Sequence, residues 1–180
     1  MEEKNDLFTR TIEALKNAPD DIETVQKIIF LFDNQLEELP EGEAKDFFLK
    51  LEELEPESED YDEILKAAEE AKKMLETAPK TIPTEIIMAY QKIIKAIIIF
   101  QNFCREVEGM FSGGKENEPE KALEKIKAIK AKLQQAPKEI PKSYLKDIGE
   151  TVDKLEIIVR QIMTAGEFSD NSGKKLSDPQ

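Results

Sequence analysis

Leu75-Glu76-Thr77-Ala78-Pro79-Lys80-Thr81-Ile82 is the middle of three copies of one phrase, Leu-x-x-Ala-Pro-x-x-Ile. The others are Leu15-Lys16-Asn17-Ala18-Pro19-Asp20-Asp21-Ile22 and Leu133-Gln134-Gln135-Ala136-Pro137-Lys138-Glu139-Ile140, and successive copies lie about 60 residues apart. The second and third copies agree further, as Ala-Pro-Lys-x-Ile-Pro. Self-similarity at a near-constant period is the mark of a repeated supersecondary unit. Proline disfavours helix at the residue before it and breaks the hydrogen-bond ladder of a helix it enters. Pro19, Pro79 and Pro137 therefore each end a helix, and Pro83 and Pro141 suit the first turn of the next one, where the missing N–H is harmless. The phrase reads as a tight corner between two helices, with its Leu and Ile packing across it.

On either side of the corners the periodicity is helical. Ala122, Ile126, Ile129, Leu133 and Ala136 share one face at helical spacing, and Tyr61, Ile64, Leu65, Ala68, Ala71, Leu75 and Ala78 form a wider stripe. Ser58 and Asn117 are suitable N-caps, and Asn117 with Glu120 resembles a capping box. The helix leaving the second corner, predicted over 83–108, carries Ile86, Ile87, Ile93, Ile94, Ile97, Ile98, Ile99, Phe100 and Phe103. It is apolar almost all round, which places it at the centre of the fold. The helix leaving the first corner breaks at Pro40-Glu41-Gly42 and resumes as a short helix with Phe47, Phe48, Leu51 and Leu54. The third is predicted over 141–164. No Asn-Gly or Asp-Gly turn joins alternating runs, so strand signals are weak.

The expected fold is all-α. Three tandem helical hairpins, about six main helices plus one short helix, form a helical bundle or short α-solenoid around a long apolar central helix. A single helical-repeat domain is expected over 1–166, with units at approximately 5–56, 57–116 and 117–166. The polar stretch 167–180 reads as a disordered tail.

Composition excludes more than it identifies. The 180 residues include no histidine and no tryptophan. Without histidine, Ser-His-Asp and Cys-His nucleophile arrangements cannot form within the chain, and the usual Cys/His zinc sites and Glu-x-x-His di-iron sites are also excluded. The sequence has no phosphate-binding glycine loop and no EF-hand loop; its one Gly pair, Gly113-Gly114, sits where a loop is needed. Neither a cofactor nor a metal site is expected. The single cysteine, Cys104, follows Phe103 on the central helix and reads as a small core residue. The chain opens with Met-Glu-Glu-Lys-Asn and no apolar stretch behind it, and Gln91, Lys92 and Lys95 interrupt the most apolar run. A cytoplasmic protein with no membrane span is therefore expected. The sequence leaves secretion without a cleavable signal open.

The net charge of −13 is unevenly spread. Residues 37–63 hold thirteen acidic side chains against two lysines. In the third hairpin Lys121, Lys125, Lys127, Lys130, Lys132, Lys138, Lys142 and Lys146 outnumber Glu124 and Glu139. Such runs are ordinarily solvated helix faces. The sharper reading is that Glu53, Glu55, Glu57, Glu59, Asp60, Asp62 and Glu63 dock a basic protein partner, because complementary potential speeds and orients association. The lysine-rich helix has no aromatic residue for base stacking and the chain is acidic, so no nucleic-acid partner is expected. Repeated hairpins offer extended surfaces, which favours a non-enzymatic interaction or adaptor module with scope for self-association. The alternative is a helical bundle that binds an apolar small molecule or lipid in its core. Tyr61, Tyr90 and Tyr144 and the carboxylates are the remaining acid–base groups, and no spacing singles out a catalytic pair among them.

Overall fold

A computed structural model of the chain describes residues 6–18, 21–112 and 118–176. It is all-α: seven α-helices and one short 3-10 turn, with no strand among the described residues. In order these are α1 (Leu7–Asn17), α2 (Ile22–Asn34), the 3-10 turn (Leu36–Glu38), α3 (Glu43–Glu53), α4 (Tyr61–Glu76), α5 (Thr84–Ser112), α6 (Pro119–Gln134) and α7 (Lys142–Leu176).

The second and third copies of the phrase build the same corner, and the described part of the first opens in the same way. At its start the Ala N–H donates to the Leu carbonyl three residues back: Ala18 to Leu15 at 3.4 Å, Ala78 to Leu75 at 3.3 Å and Ala136 to Leu133 at 3.3 Å. In the second and third copies the Ile N–H then donates to the proline carbonyl, Ile82 to Pro79 at 3.1 Å and Ile140 to Pro137 at 3.2 Å. Pro19 and Asp20, in the first corner, lie outside the described residues. The Ile is buried in every copy, with Ile22, Ile82 and Ile140 exposed by 9%, 4% and 2%. Pro83 stands one residue before the first turn of α5, and its carbonyl accepts the N–H groups of Ile86 and Ile87. The segment leaving the first corner is split as expected, into α2, the 3-10 turn and α3.

The chain divides into two compact units rather than at the hairpin boundaries. One comprises Met1–Phe103 with Pro137–Pro141, the other Cys104–Ala136 with Lys142–Gln180. The boundary falls inside α5, because that continuous helix outruns the elements that cover its first half. In the first unit α1 packs closely on α2. Its core gathers Leu7, Val25, Ile29, Phe32, Phe48, Leu75 and Ile86 around a cluster of aromatic rings. Phe32 meets Phe48 edge-on at 4.9 Å between centroids, and Phe48 lies 5.5 Å from Tyr90. Such pairs add to plain area burial. α5 supplies Ile86, Ala89, Tyr90, Ile94 and Ala96 to the interior. Among the described residues it is the one helix long and apolar enough to cross a membrane by length and composition, a property shared by the core helix of a bundle.

In the second unit α6 packs along α7, burying Ile126, Ile129 and Val152. Lys130 bridges Asp153 at 3.0 Å and Glu156, and Arg160 pairs with Glu156 one turn away at 3.0 Å. Lys132 pairs with Glu106. Part of the lysine excess in the third hairpin is thus matched by carboxylates of the same unit.

Some local expectations are corrected. The N-cap of α4 is Asp60, not Ser58; the Asp60 side chain accepts the Asp62 N–H at 3.0 Å, while Ser58 Oγ accepts the Asp60 N–H. A carboxylate next to the positive end of the helix dipole is the stronger cap. α6 is entered through Glu118 with Pro119 in its first turn, and Asn117 and Gly113-Gly114 lie outside the described residues. α7 does not stop near Thr164 but continues to Leu176. Once a helix is nucleated each added residue gains a hydrogen bond, so poor helix formers can extend it. Of the segment 167–180 read as a disordered tail, 167–176 is therefore helical backbone, and 177–180 lie outside the described residues.

The corner predicts a sharp contrast in stability. Ile82→Ala should cost about 2–4 kcal/mol in denaturant unfolding, through the cavity it leaves. Lys80→Ala, at an exposed site in the same corner, should stay within about 0.5 kcal/mol of the parent.

Candidate functional site

α4 faces the core with small side chains. Ala68 and Ala71 are buried and Ala67 partly so, while the opposing face of α5 carries Ile93, Ile94 and Ile97. A cavity of about 200 Å³ lies against these faces. Ile29 from α2, Phe48 and Leu51 from α3, Leu54, Pro56 and Ile64 complete its apolar wall. All of these belong to the first unit.

Among the described residues the charged part of the wall is entirely acidic: Asp33, Glu52 and Glu55 line the cavity together with Tyr90, and no lysine or arginine does. The Tyr90 hydroxyl donates to Asp33 Oδ1, tying α5 to the end of α2. Asp33 follows Phe32, which is 1% exposed, and lies one turn after Ile29, which is 4% exposed, so its carboxylate sits at the edge of the buried stripe of α2. Burial pushes its carboxyl up from the ordinary 3.8 to about 6; the Tyr90 hydrogen bond opposes the shift, and the charges of Glu52 and Glu55 add to it. Burial likewise raises the Tyr90 phenol well above its usual range, with Asp33 adding to the effect, so it stays a neutral donor.

The seven carboxylates singled out from sequence are all exposed. Glu53 closes α3, Glu55, Glu57 and Glu59 lie in the connection to α4, Asp60 caps α4, and Asp62 and Glu63 stand in its first turn. The last three thereby complement the α4 dipole. Only Glu55 of the seven reaches the cavity wall. Among the described residues no group of three or more His, Cys, Asp or Glu side chains could hold a metal ion. Cys104 is half-buried, and burial followed by the Glu108 charge raises its thiol, which disfavours the reactive thiolate.

Of the cavity's polar groups, the sequence reading named Tyr90 as a phenol and Glu55 as a surface charge, and missed Asp33. The available signal was positional. In the run Ile28-Ile29-Phe30-Leu31-Phe32 every residue is apolar, which hides the inward face. Phe30 and Leu31 in fact face outward, 65% and 58% exposed. Counting back from Leu36 by 3.6 would have set Ile29, Phe32 and Asp33 on one side.

Comparison with known proteins finds no matching family model, no similar characterised protein and no similar solved structure.

Asp33 gives the fold a pH dependence of definite sign. Its folded pKa is raised, so the folded state binds the proton more tightly than the unfolded chain. Its stabilising contribution is complete below about 3.8 and is lost as the pH rises through about 6. With water still reaching this half-buried group, the change amounts to roughly 1–2 kcal/mol. The N-cap carboxylates Asp6 and Asp21 act the other way, because hydrogen bonds from Thr9 and Thr24 hold them below the usual range. Comparison with Asp33→Asn cancels those groups. From pH 4 to pH 7.5 the parent should lose about 1–2 kcal/mol relative to the variant in urea unfolding; a constant difference would show that Asp33 titrates normally.

Proposed function

We propose that this protein binds an apolar small molecule in the cavity between α4 and α5. The observation that carries the reading is an apolar chamber of about 200 Å³, walled by α2, α3, α4 and α5, with a few polar groups converging at one side. Concave apolar sites with a small number of placed polar groups are the general form of ligand pockets. An apolar cavity of about 150 Å³ is enough to take up a benzene ring, so this chamber suits a ligand group a little larger. We read the function as binding rather than catalysis, because the hydroxyl paired with a carboxylate in the wall, Tyr90 with Asp33, is held as a neutral donor.

A second reading is supported by a separate observation. Glu53, Glu55, Glu57, Glu59, Asp60, Asp62 and Glu63 are all exposed on one continuous stretch of chain. That stretch suits salt-sensitive docking of a basic protein, since exposed charge steers encounter and is screened at high ionic strength.

Filling the chamber separates ligand binding from packing. Ala68→Leu places three more carbons in the void and should raise stability by about 1–2 kcal/mol. The same change should abolish ligand-induced thermal shifts and leave capture of a basic partner on the acidic segment untouched. A variant that still binds apolar ligands with parental affinity would place the site elsewhere.

A further inference from the structure

The acidic wall of the chamber specifies more than an apolar ligand. Asp33, Glu52 and Glu55 converge on one side of it, from α2, from α3 and from just beyond the end of α3. α4 faces them with Ile64, Ala67, Ala68 and Ala71, and α5 with Ile93, Ile94, Ile97 and the Tyr90 hydroxyl. Tyr90 satisfies one oxygen of Asp33 but brings no charge. A partly buried carboxylate is ordinarily paired with a cation, and the described residues of the lining supply none.

We infer that the ligand is a small organic amine: an apolar body of roughly aryl-ethyl size in the α4–α5 chamber, with its ammonium group against Asp33, Glu52 and Glu55. This rests on the ligand-binding reading above and adds the charge of the ligand to it. An ammonium donates hydrogen bonds to carboxylates and carries the opposite charge, whereas a fatty acid or any other anion meets the half-buried Asp33 and the exposed Glu52 and Glu55, all of like charge. The volume sets the size of the body, because a chamber of about 200 Å³ admits one ring and a short linker but not a long acyl chain. The binding is also pH-dependent. Protonation of Asp33 near pH 6 removes the one charge of the three that is partly buried while the amine stays an ammonium.

The test is a matched series on the full chain: 2-phenylethylamine, 2-phenylethanol and phenylacetate, titrated by calorimetry at pH 8 and pH 5. At pH 8 the amine should bind about tenfold or more tighter than the alcohol, and phenylacetate should show no binding. At pH 5, and in Asp33→Asn at pH 8, the amine and the alcohol should converge to within about threefold, with alcohol binding retained. Ala68→Leu should remove binding of both, which separates the chamber from amines gathering on the acidic surface. Amine binding that survives Ala68→Leu overturns the placement. Equal affinity for amine and alcohol in the parent at pH 8 overturns the charge assignment while leaving the ligand-binding reading intact. If no compound binds, both fall.

Discussion

Helix α5 has to be covered, and the rest of the first unit answers to that requirement. Its first half carries Ile86, Ile87, Ile93, Ile94, Ile97 and Ile98 along one broad face, with Gln91, Lys92 and Lys95 exposed on the other, and an apolar face of this width is stable in water only with neighbours against it. α2 and α3 bring Phe32 and Phe48 against Tyr90. The corner before α5 anchors the entry of the helix by burying Ile82 and Leu75. The Tyr90 to Asp33 hydrogen bond fixes α5 against α2 at the same level. α4 supplies cover with alanines, and there it falls short of filling the space.

That shortfall sets where chemistry can occur. A close-packed interior has no room for a second molecule, and the alanine face of α4 is a place where this one departs from close packing. The same gap lets the acidic end of α3 and the beginning of the next connection reach the chamber, so that Glu52 and Glu55 share a wall with Asp33. Packing and charge are therefore coupled: a bulkier α4 would both close the void and separate the carboxylates from an apolar surface.

The sequence made the corners legible because proline acts locally: Pro79 and Pro137 stop helices whatever lies around them, and the buried Ile three residues on follows from the turn they force. The central place of α5 was legible for a similar reason, since a helix apolar all round has few other homes. The candidate site was not, because it depends on distances between helices far apart in the chain. Ala68 and Ala71 read as an ordinary core stripe, and only the tertiary arrangement of α2, α3, α4 and α5 turns that stripe into a cavity wall. Asp33 was masked by the uniform apolar run before it. The seven carboxylates stood out by number, yet number does not tell a helix cap from a ligand: Asp60 serves α4 itself.

Taken singly, each peculiarity of the chamber has a plain structural explanation. Voids occur in native cores, a Tyr–Asp hydrogen bond can serve to pin two helices, and carboxylates at a helix end are common. Their coincidence is harder to explain by folding alone. Two of them lower stability relative to a simple substitution: leucine for Ala68 and asparagine for Asp33. Both costs fall on one surface of one cavity, and neither offsets the other, since the exposed Glu52 and Glu55 add their like charge to that of the half-buried Asp33. Proteins that depart from local rules of stability do so mainly where a site requires it. An ammonium-bearing apolar ligand would turn both departures into favourable contacts together, filling the void and completing the shell of Asp33.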